Sequence, residues 1–199
     1  MKLLLAFFRM TRLFNLFYIA LTQVLFQYCI LIPLLNKDNA SFALSQTNFW
    51  MIVLSSVLIA AGGYIINDYF DLNIDRVNKP DKMVVDSIIK RRWALFFHMV
   101  FSMSGVLISF YLGWKHGAMS IAVANSACMI LLWLYSTAFK KKLLSGNIVI
   151  SILTAWVIMV LYAATIDVNT FQIAEVDKIT FQKITRIAIY SPSPPASQE

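Results

Sequence analysis

A short acidic segment, Asn67-Asp68-x-x-Asp71-x-x-x-Asp75, has residue types and spacing suited to binding a metal ion. On a helix, Asn67, Asp71 and Asp75 repeat every four residues along one face, with Asp68 on the adjacent row. Carboxylates at this spacing repel one another, so a bound cation would stabilise such a helix. Carboxylate and amide oxygens suit a hard cation, and Mg²⁺ with few protein ligands usually also binds substrate phosphates. The alternative is a solvated stretch paired with the nearby Arg76, Lys79 and Lys82.

The acidic segment follows one of several long apolar stretches. The 199 residues are 59% hydrophobic and 14% charged, with a mean hydropathy of +0.69, whereas soluble domains have about 25% charged residues. Apolar runs close to the ~20 residues that cross a bilayer recur along the chain. We therefore predict an all-α, polytopic transmembrane helix bundle over residues 1–166, with about five spans at 13–35, 49–66, 93–113, 118–136 and 148–166.

Basic residues are concentrated in alternate loops. Twelve of the 17 lysines and arginines lie before the first span, between the second and third spans, or in the loop between the fourth and fifth. This is the positive-inside distribution of a multi-span protein rather than a nucleic-acid-binding surface. We predict an integral protein of the cell inner membrane, with its N-terminus and the acidic segment on the cytoplasmic side and no nucleic-acid partner.

The C-terminal region differs from the rest. Residues 167–186 are mixed and polar, which predicts an outer loop, and residues 184–190 turn apolar like the start of a sixth span. Residues 191–199 are rich in serine and proline, which predicts disorder. We therefore expect the stub of a sixth span followed by a disordered tail, as in a C-terminally truncated protein.

The lysines that follow the fourth span suggest a chemistry for the acidic segment. Lys140, Lys141 and Lys142 are either an ordinary anchor beside anionic lipid or a cationic wall facing the metal. A metal ion and lysines together would neutralise the charge on a departing diphosphate. At the edge of the hydrocarbon layer, this combination favours a lipid diphosphate whose chain lies between the helices. Cleavage would leave an allylic cation, which an adjacent acceptor would capture.

These residues resemble the UbiA-type intramembrane prenyltransferases. The acidic segment is similar to the first aspartate-rich motif of that family, and the resemblance extends from about residue 12 to the end of the fifth span. Two further similarities are Arg76-x-Asn78-Lys79-Pro80-x-Lys82 and Tyr135-x-x-x-x-Lys140 with Gly146-Asn147.

The resemblance implies Mg²⁺-dependent transfer of a prenyl group from a polyprenyl diphosphate to an acceptor at a cytoplasmic-side site. It implies three groups of site residues: the metal ligands Asn67, Asp71 and Asp75; the diphosphate contacts Arg76, Lys79, Lys82 and Lys140; and the catalytic residues Asp68 and Tyr135. The motif is most similar to the branch that prenylates geranylgeranylglyceryl phosphate. Enzymes acting on aromatic quinone precursors or on haem are the near alternatives.

One departure from the family keeps other functions open. The family has a second aspartate-rich motif, but no Asp-x-x-x-Asp occurs here after residue 75, so an inactive truncated remnant is the alternative to an active transferase. A cation-binding carrier would place acidic residues deep within the spans, whereas these lie at one end. A CDP-alcohol phosphotransferase needs a glycine and an arginine between its aspartate pairs, and the segment from Asp71 to Asp75 has neither.

Overall fold

The computed structural model describes residues 2–37, 44–72, 76, 84–86, 88–117, 119–140 and 142–190. Within these ranges the chain is almost entirely helical, and its one isolated bridge pairs Val85 with Ile89. The elements follow in the order α1 (Lys2–Met10), α2 (Leu13–Leu25), the π-helical segment π1 (Phe26–Leu31), α3 (Ile32–Lys37), α4 (Gln46–Phe70), α5 (Arg91–His116), α6 (Met119–Leu134), the π-helical segment π2 (Tyr135–Phe139) and α7 (Leu143–Tyr190).

Among the described residues, five helical stretches are long and apolar enough to cross a bilayer. They are Leu13–Leu35, Gln46–Phe70, Arg91–His116, Met119–Phe139 and Leu144–Asp167. A helix satisfies its own backbone hydrogen bonds, which a lipid environment requires because it supplies no water. The all-α bundle of about five spans predicted from the sequence is therefore confirmed. Its orientation in the membrane stays a prediction.

The last helix is longer than the sequence suggested. Residues 167–186, which we predicted as an outer loop, and the predicted start of another span at 184–190 all belong to α7, which runs from Leu143 to Tyr190. The stretch 167–190 contains neither glycine nor proline, so it has none of the residues that most strongly interrupt a helix. The predicted disordered tail, 191–199, lies outside the described residues.

Helix α4 occupies the centre of the bundle, with contacts to α2, α5, α6 and α7. It packs most extensively against α5, where small residues allow the two backbones to come together. A Cβ added to Gly105 would lie 2.7 Å from Ile59 Cγ1 and 2.8 Å from the Ser55 carbonyl oxygen. A Cβ added to Gly62 would collide with Ser102 Oγ. This packing fixes the direction of α4, whose carboxyl end carries the acidic segment.

Two apolar clusters lie at opposite ends of α4. At its carboxyl end, α1 packs through Ala6 and Met10 against Ile65 and the start of α5. At its amino end, a second cluster, called here the outer cluster, consists of Leu44, Phe49, Ile52, Val53, Leu112, Ile121, Val160, Leu161 and Ala164. The residues between these clusters surround the cavity described below.

Candidate substrate-binding site

Arg12 forms the sharp turn between α1 and α2. Its backbone is left-handed, with φ 52° and ψ 55°, a conformation that costs a residue other than glycine about 1–2 kcal/mol. The guanidinium donates a hydrogen bond of 2.9 Å to Asp68 Oδ1 and lies 5.2 Å from the centre of the Tyr64 ring. Asp68 and Tyr64 are one turn apart on α4. These contacts offset the strain of the turn and hold Arg12 beside the acidic segment.

Asn67 and Asp71 lie one turn apart at the carboxyl end of α4. The helix ends at Phe70, and Asp71 caps it with φ −82° and ψ −5°, its N–H donating to the Asn67 carbonyl at 3.1 Å. Asn67 Nδ2 also donates to Asp71 Oδ2 at 3.1 Å. Two of the three predicted metal ligands therefore share one helix face. The third, Asp75, lies outside the described residues.

Lys140 reaches these two side chains from the end of α6. Its backbone N–H donates to the Tyr135 carbonyl at 3.0 Å, a span of five residues that defines the π-helical turn. Tyr135 and Lys140 are thus one π-helical turn apart, and both line the same cavity. Lys140 Nζ donates to Asn67 Oδ1 at 3.1 Å and forms an ion pair with Asp71 Oδ2. The predicted diphosphate-binding lysine thus contacts the predicted metal ligands directly.

Asn67 Oδ1 and Asp71 Oδ2 both contact the ammonium group of Lys140, so these two oxygens are placed to bind one cation. Two oxygen ligands, one of them anionic, are a donor set that Mg²⁺ accepts when water and phosphate complete its coordination. No group of three His, Cys, Asp or Glu side chains comes together within the described ranges. The described residues therefore fit part of a magnesium site, the part contributed by Asn67 and Asp71.

A cavity of about 600 Å³ opens beside this cluster. The polar side chains of Arg12, Asn67 and Lys140 lie at one end of it, and most of the remaining wall is apolar. The wall is built from Arg12, α2 (Asn15, Tyr18, Ile19, Thr22), α4 (Ser56, Ile59, Ala60, Gly63, Tyr64, Asn67), α6 and π2 (Asn125, Cys128, Leu132, Tyr135), Lys140, and α7 (Ile150, Leu153, Thr154, Trp156, Val157, Ile158). Its shape suits a ligand with an anionic end and a hydrocarbon chain.

The other predicted site residues are placed as follows. Asp68 contacts Arg12, and Tyr135 lines the cavity. Arg76 forms an ion pair of 3.1 Å with Asp86, and 66% of its side chain is exposed. Lys79 and Lys82 lie outside the described residues. The predicted roles of all these residues stay predictions.

Arg12 is the site residue that the sequence did not reveal as such. In the sequence it is one of three basic residues before the first span, which the charge distribution alone explains. Its partner Asp68 is 56 positions away, and the contact depends on the left-handed turn between α1 and α2. The one feature of the sequence that could have pointed to Arg12 is its position between a short helix and a span that begins at the next residue.

Residues 29–174 of the chain match the sequence model described as the UbiA prenyltransferase family. The similar curated proteins include three named digeranylgeranylglyceryl phosphate synthase. The protein from Methanosphaera stadtmanae is 30% identical over 150 residues, which cover 69% of this chain and 53% of that protein. The one from Ignicoccus hospitalis is 34% identical, with coverages of 61% and 36%. The one from Methanosarcina mazei is 33% identical, with coverages of 68% and 45%.

A solved structure also resembles this chain. It is described as that of a digeranylgeranylglyceryl phosphate synthase in membranes, and the two superpose with a TM-score of 0.68 at 25% identity. The alignment covers 87% of this chain and 57% of the other. The matched parts of this chain therefore cover 36–57% of the length of these curated relatives and of the solved structure.

Proposed function

Because the chain belongs to the UbiA prenyltransferase family, we propose that it binds a polyprenyl diphosphate and transfers the prenyl group to geranylgeranylglyceryl phosphate. The observation that carries this proposal is the contact of Lys140 with Asn67 and Asp71 at the polar end of an otherwise apolar cavity. A prenyl diphosphate has the same two-part character. The acceptor is proposed from the names of the three relatives described above, each of which is named digeranylgeranylglyceryl phosphate synthase.

The polar end of the cavity would bind the diphosphate. Asn67 and Asp71, with Asp75, would hold Mg²⁺, which when bound supplies positive charge to the diphosphate. Lys140 would turn from Asp71 towards the phosphate oxygens, as an ammonium group on a flexible stem is able to do. Arg12 presents a second cation to the cavity, and Asp68 positions it through the 2.9 Å ion pair. Arg76, Lys79 and Lys82 would add further phosphate contacts from the following loop.

The proposed reaction breaks the bond between the allylic carbon and the diphosphate oxygen, and the electron pair leaves with the diphosphate. The acceptor's hydroxyl oxygen then bonds to that carbon and releases its proton to water at the membrane surface. Lys140 and Arg12 stabilise the departing anion. Tyr135, one π-helical turn before Lys140, would shape the wall where the allylic carbon would lie. The apolar wall excludes water, which would otherwise capture the cation.

The proposed location is the inner membrane, with the polar end of the cavity facing the cytoplasm. The support for this orientation is the distribution of basic residues, twelve of 17 of which lie in alternate loops. Lys140 and Arg12 belong to that basic set. A labelling experiment on cysteine variants of the two kinds of loop would test the orientation independently of activity.

The function is tested by supplying purified protein in bilayers with Mg²⁺, labelled geranylgeranyl diphosphate, and either geranylgeranylglyceryl phosphate or 4-hydroxybenzoate. We expect transfer to the glycerophosphate acceptor, and a loss of roughly a hundredfold or more in Asp71→Asn. The matched control is Asp167→Asn, because Asp167 contacts Ser120 at the opposite end of the bundle. Transfer to 4-hydroxybenzoate alone would overturn the proposal that geranylgeranylglyceryl phosphate is the acceptor. Binding of the diphosphate with no transfer would overturn the transferase proposal.

A further inference from the structure

The cavity has a defined deep end inside the membrane. On each surrounding helix the residues that line it stop at one level: Thr22 on α2, Ser56 on α4, Asn125 on α6 and Ile158 on α7. Beyond that level the same helices contribute side chains to the outer cluster, including Val53, Ile121 and Val160. Asn67 and Ser56 are 11 residues apart on α4, a distance of about 16 Å along a helix.

The first of two polar cross-links at this level is made by Gln23. Its side chain is fully buried, and its Nε2 donates to Ser56 Oγ at 3.0 Å and to the Val157 carbonyl at 2.8 Å. Gln23 therefore ties α2 to both α4 and α7. Ser56 and Val157 are themselves part of the cavity wall, so the cross-link lies immediately behind the deep end.

The second cross-link is centred on Asn125. The indole Nε1 of Trp156 donates to Asn125 Oδ1 at 2.7 Å. Asn125 Nδ2 in turn donates to Ser109 Oγ at 2.8 Å and to Ser55 Oγ at 3.2 Å. Asn125, Ser55 and Ser109 are each at most 2% exposed. The network joins four helices, and it fixes the indole of Trp156 because rotation would break a buried hydrogen bond.

We infer that the polar floor, defined as Gln23, Ser56, Asn125 and Trp156, sets the longest prenyl chain that the cavity accepts. This inference rests on the proposed function. An apolar end of a cavity is able to open by side-chain rotation, whereas this one opens only by breaking hydrogen bonds that no lipid or prenyl group replaces. The floor therefore limits the length of the donor instead of yielding to longer chains.

The test is competition binding in bilayer nanodiscs with Mg²⁺. Prenyl diphosphates of two to six isoprene units compete with labelled geranylgeranyl diphosphate. For the wild-type protein, we expect affinity to increase with chain length up to a limit and then to fall. Trp156→Ala should move the limit to a longer chain by about one unit, since it removes the largest side chain of the floor.

Two more variants test the inference in other directions. Ala60→Leu fills the cavity one turn above Ser56 and should move the limit to a shorter chain. Trp156→Phe retains a ring but loses the hydrogen bond to Asn125, and it should move the limit in the same direction as Trp156→Ala. The matched control is Trp114→Ala, because Trp114 is 85% exposed and lies outside the cavity wall. Circular dichroism checks that each variant is helical.

The outcomes separate this inference from the proposed function. A length limit that is the same in the wild type and in every folded variant would overturn the inference, because the chain would then leave between the helices into lipid. The proposed function would stand in that case. Absence of Mg²⁺-dependent binding at every length would overturn the proposed function and the inference with it.

Discussion

Replacing Lys140 by methionine should have opposite effects on metal binding and on donor binding. The Lys140 ammonium occupies the oxygens of Asn67 and Asp71 that the proposed Mg²⁺ would use, so without donor the two cations compete. About 34% of the Lys140 side chain and 13% of the Asp71 side chain are exposed. For an ion pair of this partial exposure we take about 1 kcal/mol, the upper end of the range for exposed pairs. Removing it should tighten donor-free Mg²⁺ binding by about fivefold.

The measurement is the melting temperature of the protein in nanodiscs as Mg²⁺ is added, which yields an apparent dissociation constant. A second titration with geranylgeranyl diphosphate at fixed Mg²⁺ should show weaker binding by Lys140→Met than by the wild type. Lys142→Met is the matched control, because it removes an exposed lysine two residues further along the chain and leaves Lys140 in place. Metal binding by Lys140→Met that is equal to or weaker than that of the wild type would refute the competition.

Two stability predictions concern the elements that support the site. Arg12→Ala should lower the free energy of unfolding by about 1–2 kcal/mol, because the contacts with Asp68 and Tyr64 are lost. Arg12→Gly should lose the same contacts but recover about 1 kcal/mol from the left-handed backbone, so equal melting temperatures for the two variants would contradict a strained turn. Gly105→Ala should lower the free energy of unfolding by roughly 1–3 kcal/mol, because the added Cβ would clash with Ile59 and with the backbone of α4. An unchanged melting temperature would show that α4 and α5 are able to separate at no cost.

The sequence supported the predictions that depend on local pattern. The length of the apolar stretches and the distribution of charge are sufficient to predict the five spans. The four-residue repeat predicts that Asn67 and Asp71 share one helix face, as observed. Contacts between distant segments were beyond such reasoning. The pairing of Arg12 with Asp68 depends on a left-handed turn, and Lys140, which contacts Asp71, directly follows the π-helical segment π2. Neither backbone conformation has a signature in residue order.

The same limit explains why the polar floor escaped prediction. Asn125 and Gln23 are isolated polar residues in apolar spans, where an amide most often bonds to a neighbouring helix. Only the fold shows that both bond at the level where the cavity ends.

The distribution of polar groups along the cavity gives the ligand a direction. The charged groups among its lining residues, Arg12 and Lys140, lie at one end, where the spans meet the membrane surface. The deep end uses neutral amides, hydroxyls and an indole whose described hydrogen bonds are made within the bundle. Burying an ion there would cost far more than burying a bonded amide. A diphosphate is thus favoured only at the mouth, and a hydrocarbon chain is favoured only between the mouth and the floor. One orientation of the proposed prenyl diphosphate would satisfy both conditions, and it would place the allylic carbon near Tyr135 and Lys140, which line the cavity.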